Sequence, residues 1–252
     1  MVRNLLVRGM LAGIVAGLLS FGFLKVYGEP QVDRAISFET KSDDAKAPAD
    51  STKAMSLPEG EQAELVSRSI QSGLGLFTAV MVYCTAFGGL FSLAFAFAYG
   101  RLPGTFAPQG VSALLAATGF VAVYLVPSLK YPASPPSVGD PETIGVRTAY
   151  YFIMIAFSLA AMVGSITIKP FFVQRFSNWN ATIIVALSYL ALVAVAGLLL
   201  PAVNEVPEQF PAVVLWKFRI VSVGAQFIMW ATIGLLFGAF AQRSLVSKKL
   251  HA

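Results

Sequence analysis

The stretch that decides the fold is Leu74–Tyr99, which reads LGLFTAVMVYCTAFGGLFSLAFAFAY and contains no charged residue. A helix rises about 1.5 Å per residue, so a helix of this length exceeds the hydrocarbon core of a bilayer, which is about 30 Å thick. Inside lipid, every backbone N–H and C=O group must find its partner within the chain. We therefore predict that this segment is a transmembrane helix.

Apolar segments of similar length recur along the chain, which is 56% hydrophobic and only 12% charged, with a mean hydropathy of +0.71. A soluble protein carries about 25% charged residues. Short segments of alternating polarity, which are typical of membrane β-barrels, do not occur. We predict an all-α integral membrane protein that forms one membrane domain over residues 1–252. The six predicted spans are Leu5–Val26, Leu74–Tyr99, Gly110–Ser128, Thr148–Ile168, Thr182–Leu200 and Val213–Ala241.

The first segment also has features of a signal peptide, because Arg3 and Arg8 stand at the start of its apolar run. The run is longer than the apolar region of a signal peptide, and no A-x-A cleavage site follows Leu24. We therefore interpret it as a transmembrane helix.

The charges at the span ends indicate the orientation. With a cytoplasmic N-terminus, the inward ends hold eight of the 18 Lys and Arg residues and none of the 13 Asp and Glu residues. This distribution agrees with the positive-inside rule, so we predict that both termini are cytoplasmic. The inward basic residues are Arg3, Arg8, Arg101, Lys169, Arg175, Arg243, Lys248 and Lys249.

One longer outer loop is predicted over residues 27–72. Its stretch Ser37–Glu64 has few large apolar residues and cannot bury enough surface to fold alone, so we expect part of it to be mobile. Ser56 and Glu59 have the spacing of a capping box, which predicts a helix that starts there and leads into the second span.

Small residues line faces of two spans. Gly9, Gly13 and Gly17 recur at every fourth position of the first span, and Gly234 and Gly238 have the same spacing on the sixth. Such faces allow another helix to approach closely. They indicate either a contact with another subunit or packing within the six-helix bundle.

Few polar side chains lie within the spans. Lys25, Lys217 and Arg219 lie near outer span ends, where they can extend to the headgroups or pair with loop carboxylates. Arg219, Ser222 and Gln226 share one face of the sixth helix. This polar stripe lines a pathway or forms hydrogen bonds to another helix.

Three outer segments combine prolines with carboxylates: GEPQVDRAISFE (28–39), LKYPASPPSVGDPETIGVR (129–147) and PAVNEVPEQFP (201–211). Carboxylate oxygens suit divalent cations, and an electronegative mouth concentrates cations. Alternatively, these carboxylates pair with basic residues on the same side and hold the loops together. The basic residues considered are Arg34, Lys130, Arg147, Lys217 and Arg219.

Several function classes are excluded or disfavoured. The single Cys84 and single His251 cannot build a disulfide framework, a zinc finger or a His/Cys metal cluster. Neither an H-E-x-x-H motif nor a nucleotide-binding P-loop is present, and Cys84 has no neighbouring His to activate it. The basic residues do not form one stripe, as nucleic-acid binding would require. We expect no enzyme activity, no tightly bound cofactor and no nucleic-acid partner; membrane lipid is the predicted surrounding.

Four quoted segments together resemble the CbtA family of cobalt transporter subunits from bacteria. They are RNLLVRGMLAGIVAGLLSFGF, GEPQVDRAI, LKYPASPPSVGDPETIGVRTAYYF and LPAVNEVPEQFPAVVLWKFRIVSVGAQFIMW. The resemblance covers nearly the whole chain apart from Ser37–Glu64. It implies a subunit of a cobalt uptake system in the inner membrane, linked to vitamin B12 synthesis. It also implies a small partner, CbtB, with one span and a His-rich tail.

On this interpretation the chain forms the membrane path for cobalt(II), and the partner supplies the imidazole ligands, because the single His of this chain lies next to its C-terminus. Because they lie in the motif segments, six carboxylates are the candidates to face the cation. Two alternatives stay open: a structural subunit that is docked onto a larger respiratory or photosynthetic complex and transports nothing, or a transporter of another small solute. The six carboxylates are Glu29, Asp33, Asp140, Glu142, Glu205 and Glu208.

Overall fold

The computed structural model describes residues 2–46, 66–101 and 106–249, and the side chains of 2–42, 66–101 and 106–245. Regular structure in these residues is entirely helical, without a strand. The predicted all-helical chain with six helices of membrane-spanning length and composition is confirmed. These helices are Val2–Ser42, Arg68–Ala98, Pro108–Lys130, Pro141–Val173, Asn178–Leu199 and Ala212–Leu245.

Within the described residues we number the α-helical segments α1 to α9. They are α1 Val2–Phe23, α2 Glu29–Lys46, α3 Arg68–Ile70, α4 Leu76–Ala98, α5 Pro108–Gly119, α6 Val126–Lys130, α7 Ile144–Val173, α8 Asn178–Leu199 and α9 Ala212–Lys249. Wider π-helical turns at Leu24–Gly28, Gln71–Gly75 and Phe120–Leu125 join α1 to α2, α3 to α4 and α5 to α6, and a short 3₁₀ turn, Pro141–Thr143, precedes α7.

The first helix does not end near Val26, where the sequence analysis placed the start of the outer loop. It continues through the π-helical turn into α2 and reaches Lys46. Pro30 has no N–H group and would disturb an α-helix, and the wider turn just before it accommodates this residue within a continuous helix. The helix is held by packing, since Ala35 is fully buried and Gln31 is buried despite its polar side chain.

The other edge of the predicted outer loop is only partly described. The capping box of Ser56 and Glu59 lies outside the described residues. The short helix that leads into the second span begins at Arg68, with Ser67 in the extended N-cap conformation.

Two hydrophobic clusters hold the helices together. The larger cluster joins α1, α4, α5 and α9 around the fully buried side chains of Phe95, Ile233 and Phe237. A second cluster joins α6, α7 and α8 around Met154 and Tyr189. Within the larger cluster α1 runs antiparallel to α4 and α5 antiparallel to α9, whereas α4 and α9, whose residues Phe95 and Phe237 meet, run in the same direction. The chain is thus a four-helix bundle to which the α7–α8 hairpin is attached through the second half of the third span.

The glycine faces predicted from the sequence lie inside the bundle. Gly9 and Gly13 touch the backbone of α4, where a Cβ atom on Gly13 would lie 2.9 Å from the Thr85 Cα atom. Gly234 and Gly238 face α5, and a Cβ atom on Gly238 would lie 3.1 Å from the Ser112 Cβ atom. Of the two alternatives, the structure therefore uses these faces for contacts within the chain. Gly17 likewise faces α4, at Met81.

Buried hydroxyl groups add hydrogen bonds between spans. The Ser112 hydroxyl donates to the Gly234 carbonyl at 2.6 Å, joining the third span to the sixth. Ser158 and the Tyr189 hydroxyl lie 2.8 Å apart and join the fourth span to the fifth. These bonds give the buried hydroxyl groups partners inside the protein and help to hold neighbouring spans together.

Candidate functional site

The three proline- and carboxylate-rich segments meet at one end of the bundle, and we call their assembly the cap. The cap consists of α2 and of residues 131–143 and 200–211. The Ser137 hydroxyl donates to the Ala35 carbonyl at 3.1 Å, which ties the second segment to α2. The rings of Phe38 and Phe210 meet edge to face, with centroids 5.1 Å apart, which ties the third segment to α2. These motifs, distant in sequence, therefore form one structure.

Glu205 links the second and third cap segments. Its carboxylate accepts the backbone N–H of Asp140 at 2.8 Å and the hydroxyl of Thr143 at 2.7 Å, and lies 3.2 Å from Arg147 Nε. These contacts lower the pKa of Glu205 below its usual value, chiefly through the Asp140 N–H, then the Thr143 hydroxyl, with a further contribution from the Arg147 charge. Glu205 is thus held as a carboxylate within a ring of donors.

The position of Arg147 depends on a glycine that the sequence analysis did not single out. Gly139 has a φ of +113°, a conformation that residues with a Cβ atom rarely adopt. A Cβ atom there would overlap the guanidinium group of Arg147. Gly139 therefore allows both the turn and the close approach of Arg147. The G-D-P sequence of residues 139–141 was the available signal, because it marks a tight turn.

The other predicted carboxylates fall into three groups: two pair with Arg68, one caps a turn and two are exposed. Arg68 pairs with Glu29 and, at 2.9 Å, with Asp33. Asp140 accepts the N–H of Glu142 at 2.9 Å and so caps the short 3₁₀ turn.

Glu142 and Glu208 are exposed and form no ion pair with the described residues. Across the described residues, no three His, Cys, Asp or Glu side chains are grouped so as to hold a metal ion. The structure therefore contains the predicted pairing of loop carboxylates with basic residues, at Glu205 with Arg147. It adds Arg68, which the sequence analysis had not considered as a partner.

A cavity of about 460 Å³ lies beneath the cap, and we call it the cap cavity. It is bounded by the ends of the third, fourth and sixth spans and by the two cap segments that follow the third and fifth spans. The polar stripe of the sixth helix contributes only Arg219 to its lining. Ser222 instead donates to the Phe218 carbonyl of its own helix at 2.9 Å, and Gln226 is partly buried one turn further along. The polar and aromatic lining residues include Tyr124, Ser128, Tyr131, Arg147, Thr148, Tyr151, Asn204, Glu205 and Arg219.

Comparison with known proteins gives one match, to a family model described as "Probable cobalt transporter subunit (CbtA)", over residues 2–242. The chain belongs to the CbtA family. The matched region includes the six spans and all three cap segments, so the resemblance inferred from the motifs is confirmed. The CbtA family is one of transporter subunits and not an enzyme family, and cobalt is the ion with which it is associated. No curated protein and no solved structure matches the chain.

Proposed function

We propose that this CbtA family member forms the membrane path of a cobalt uptake system linked to vitamin B12 synthesis in the bacterial inner membrane. The observation that supports this function is the family match over residues 2–242, which coincides with the six helices able to cross a membrane. Cobalt(II) is the transported ion in this proposal and not a resident cofactor.

The orientation in this proposal places the cap outside and both termini in the cytoplasm. The cap segments and the helix ends beside them carry every carboxylate of the described residues. The opposite ends of the helices carry basic residues only, among them Arg101, Lys169 and Arg175. This distribution supports the orientation through the positive-inside rule.

A small partner of the CbtB type, with a His-rich tail, would supply metal ligands. Cobalt(II) favours imidazole and carboxylate ligands, whereas this chain has one His and one Cys in its sequence. Cys84 is buried in the second span, where its thiol packs among apolar groups. Tight binding of cobalt therefore calls for nitrogen ligands from another subunit.

The carboxylates of the cap would attract the arriving cation to different degrees, because neighbouring groups neutralise some of their charges and not others. Glu205 is compensated by Arg147, Glu29 and Asp33 share the single charge of Arg68, and Asp140 is engaged in its turn. Glu142 and Glu208 are exposed and form no ion pair with the described residues, so in this proposal they contribute most to the acidic vestibule. The charge of an exposed carboxylate raises the local cation concentration without forming a tight site.

Cobalt uptake into cells tests this function. The assay compares cells expressing the chain with its partner, cells with either alone, and cells with the paired substitution Glu142→Gln and Glu208→Gln. We expect uptake only with both subunits, and slower uptake by the paired variant, most clearly at low ionic strength. The paired substitution Glu142→Asp and Glu208→Asp, which keeps both negative charges at the same positions, is the matched control.

Two results would contradict the proposal in distinct ways. Full uptake by the paired variant would remove the acidic vestibule but leave transport intact. Absence of cobalt uptake from cells containing both subunits, with the chain recovered instead in a large respiratory or photosynthetic complex, would replace transport by a structural role.

A further inference from the structure

Arg219 is an unusual residue within the cap cavity. It lies about two turns into α9, within the sixth span, and its side chain is partly buried. Its Nε atom is inaccessible and has no hydrogen-bond acceptor, and the residue forms no ion pair with any described carboxylate. A charged group within a membrane span usually has a partner, because an unpaired buried charge is costly.

Glu205, the carboxylate that lines the same cavity, is not available to Arg219. One of its oxygens accepts the Asp140 N–H and faces Arg147, and the other accepts the Thr143 hydroxyl. Arg147 and Glu205 therefore neutralise each other. The cavity lining retains one uncompensated positive charge, on Arg219, and this charge opposes the entry of a free cation.

Neutral donors line the same cavity. Tyr124 and Tyr151 line the cavity, and their hydroxyl groups make no hydrogen bond to the described residues, whereas the Tyr131 hydroxyl donates to the Pro201 carbonyl at 2.8 Å. Asn204 adds an exposed side-chain amide. A volume of about 460 Å³ is within the range of small-molecule sites. The cavity thus combines one cation, unused donors and aromatic walls.

We propose that the cap cavity binds a small oxyanion, a carboxylate or a phosphate, through the guanidinium group of Arg219. The planar donor fork of arginine matches the oxygens of these groups, and the hydroxyls of Tyr124 and Tyr151 provide further donors. The ligand is either a soluble anion or the phosphate of an anionic lipid, since both present the same chemistry. This site goes beyond cobalt uptake and does not depend on it.

Ligand-dependent thermal unfolding of the purified full-length protein in a neutral detergent tests the proposal. The probes are citrate, inorganic phosphate and phosphatidylglycerol, each measured against sodium chloride at equal ionic strength. A ligand that binds the folded state raises the unfolding temperature in a saturable manner. We expect saturable stabilisation by at least one probe, and its apparent Kd to weaken about ten- to hundredfold in Arg219→Gln through loss of charge-assisted hydrogen bonds.

Lys217→Gln is the matched control, because Lys217 is an exposed cation two residues away on α9 and does not line the cavity. We expect it to bind the probe as the unchanged protein does. Arg219→Lys keeps the charge without the fork and should bind with intermediate affinity. If Arg219→Gln does not fold, the apparent Kd of the probe is compared instead between the unchanged protein, Arg219→Lys and the paired Tyr124→Phe and Tyr151→Phe variant. Weaker binding by these variants is then the expected result.

Each outcome is decisive. Stabilisation by citrate or phosphate that is lost with Arg219 supports a soluble anion, and stabilisation by phosphatidylglycerol alone that is lost with Arg219 supports a lipid headgroup. Absence of stabilisation by all three probes overturns the proposal. Equal weakening in the Arg219 and Lys217 variants also overturns it, because the effect would then be a general one of surface charge.

Discussion

The close contact of the first and second spans yields the sharpest prediction, through Gly13→Ala. A Cβ atom on Gly13 would lie 2.9 Å from the Thr85 Cα atom, and it would overlap the Cys84 carbonyl oxygen more severely. Ordinary contacts begin at 3.4 Å, so the two helices must separate by at least 0.5 Å. The opposing atoms belong to the backbone and cannot rotate away. Overpacking of this kind costs about 1–3 kcal/mol.

Gly22→Ala is the matched control. Gly22 lies on the same helix, and a Cβ atom there would meet nothing within 4 Å. Alanine favours a helix over glycine by about 0.5–1 kcal/mol at either position, so this gain cancels in the comparison. We expect Gly13→Ala to unfold more easily than Gly22→Ala by about 1–3 kcal/mol.

The free energy of unfolding in mixed detergent–SDS micelles, followed by circular dichroism, measures this difference. It requires that unfolding be reversible for both variants. Equal free energies for the two variants would refute the reasoning, because the α1–α4 contact would then have room for a methyl group.

Two further predictions concern polar contacts. Because the pKa of Glu205 is lowered from 4.5 in the folded state, its contribution to cap stability is complete above about pH 4.5 and is lost as the pH falls through the folded-state pKa. The protection of residues 131–143 from hydrogen exchange, expressed relative to the intrinsic exchange rate at each pH, should therefore fall in acid, whereas Glu205→Gln should show low protection already at pH 7; an identical acid transition in this variant would contradict the assignment. Tyr189→Phe should lower the free energy of unfolding by about 0.6–1.7 kcal/mol by removing the hydrogen bond to Ser158. A double-mutant cycle with Ser158→Ala checks this, and strictly additive losses would show that the bond contributes nothing.

The predicted spans agree with the structure wherever the apolar run itself decides the outcome. Leu74–Tyr99 lies almost wholly within the helix Arg68–Ala98, because lipid permits only internally hydrogen-bonded backbone over such a length. The first span was predicted to end too early. Its polar continuation has no apolar run, and its helical structure accompanies the burial of Ala35 against the other cap segments.

The sequence indicated which segments form the candidate site, but it did not indicate which side chains of those segments contact each other. Composition and position along the chain predicted that the carboxylates and Arg219 lie on one side of the membrane, and the motifs indicated the CbtA family. The partners could not be read from the sequence, since Arg68 and Glu29 are 39 residues apart and Asp140 and Glu205 are 65 residues apart. Both separations are too long for a contact within one turn or one helix, so local sequence patterns do not reveal these pairs.

The sequence by itself thus determined the membrane class, the number of spans and the distribution of charge, because each follows from local hydrophobicity and from the positions of charged residues along the chain. Only the tertiary structure decided which charges are neutralised. Packing of the cap brings Glu205 to Arg147 and leaves Arg219 without an ion pair in a cavity that Tyr124 and Tyr151 also line. That distinction depends on interatomic distances between separate helices and loops, and such distances arise only when the bundle and its cap are assembled.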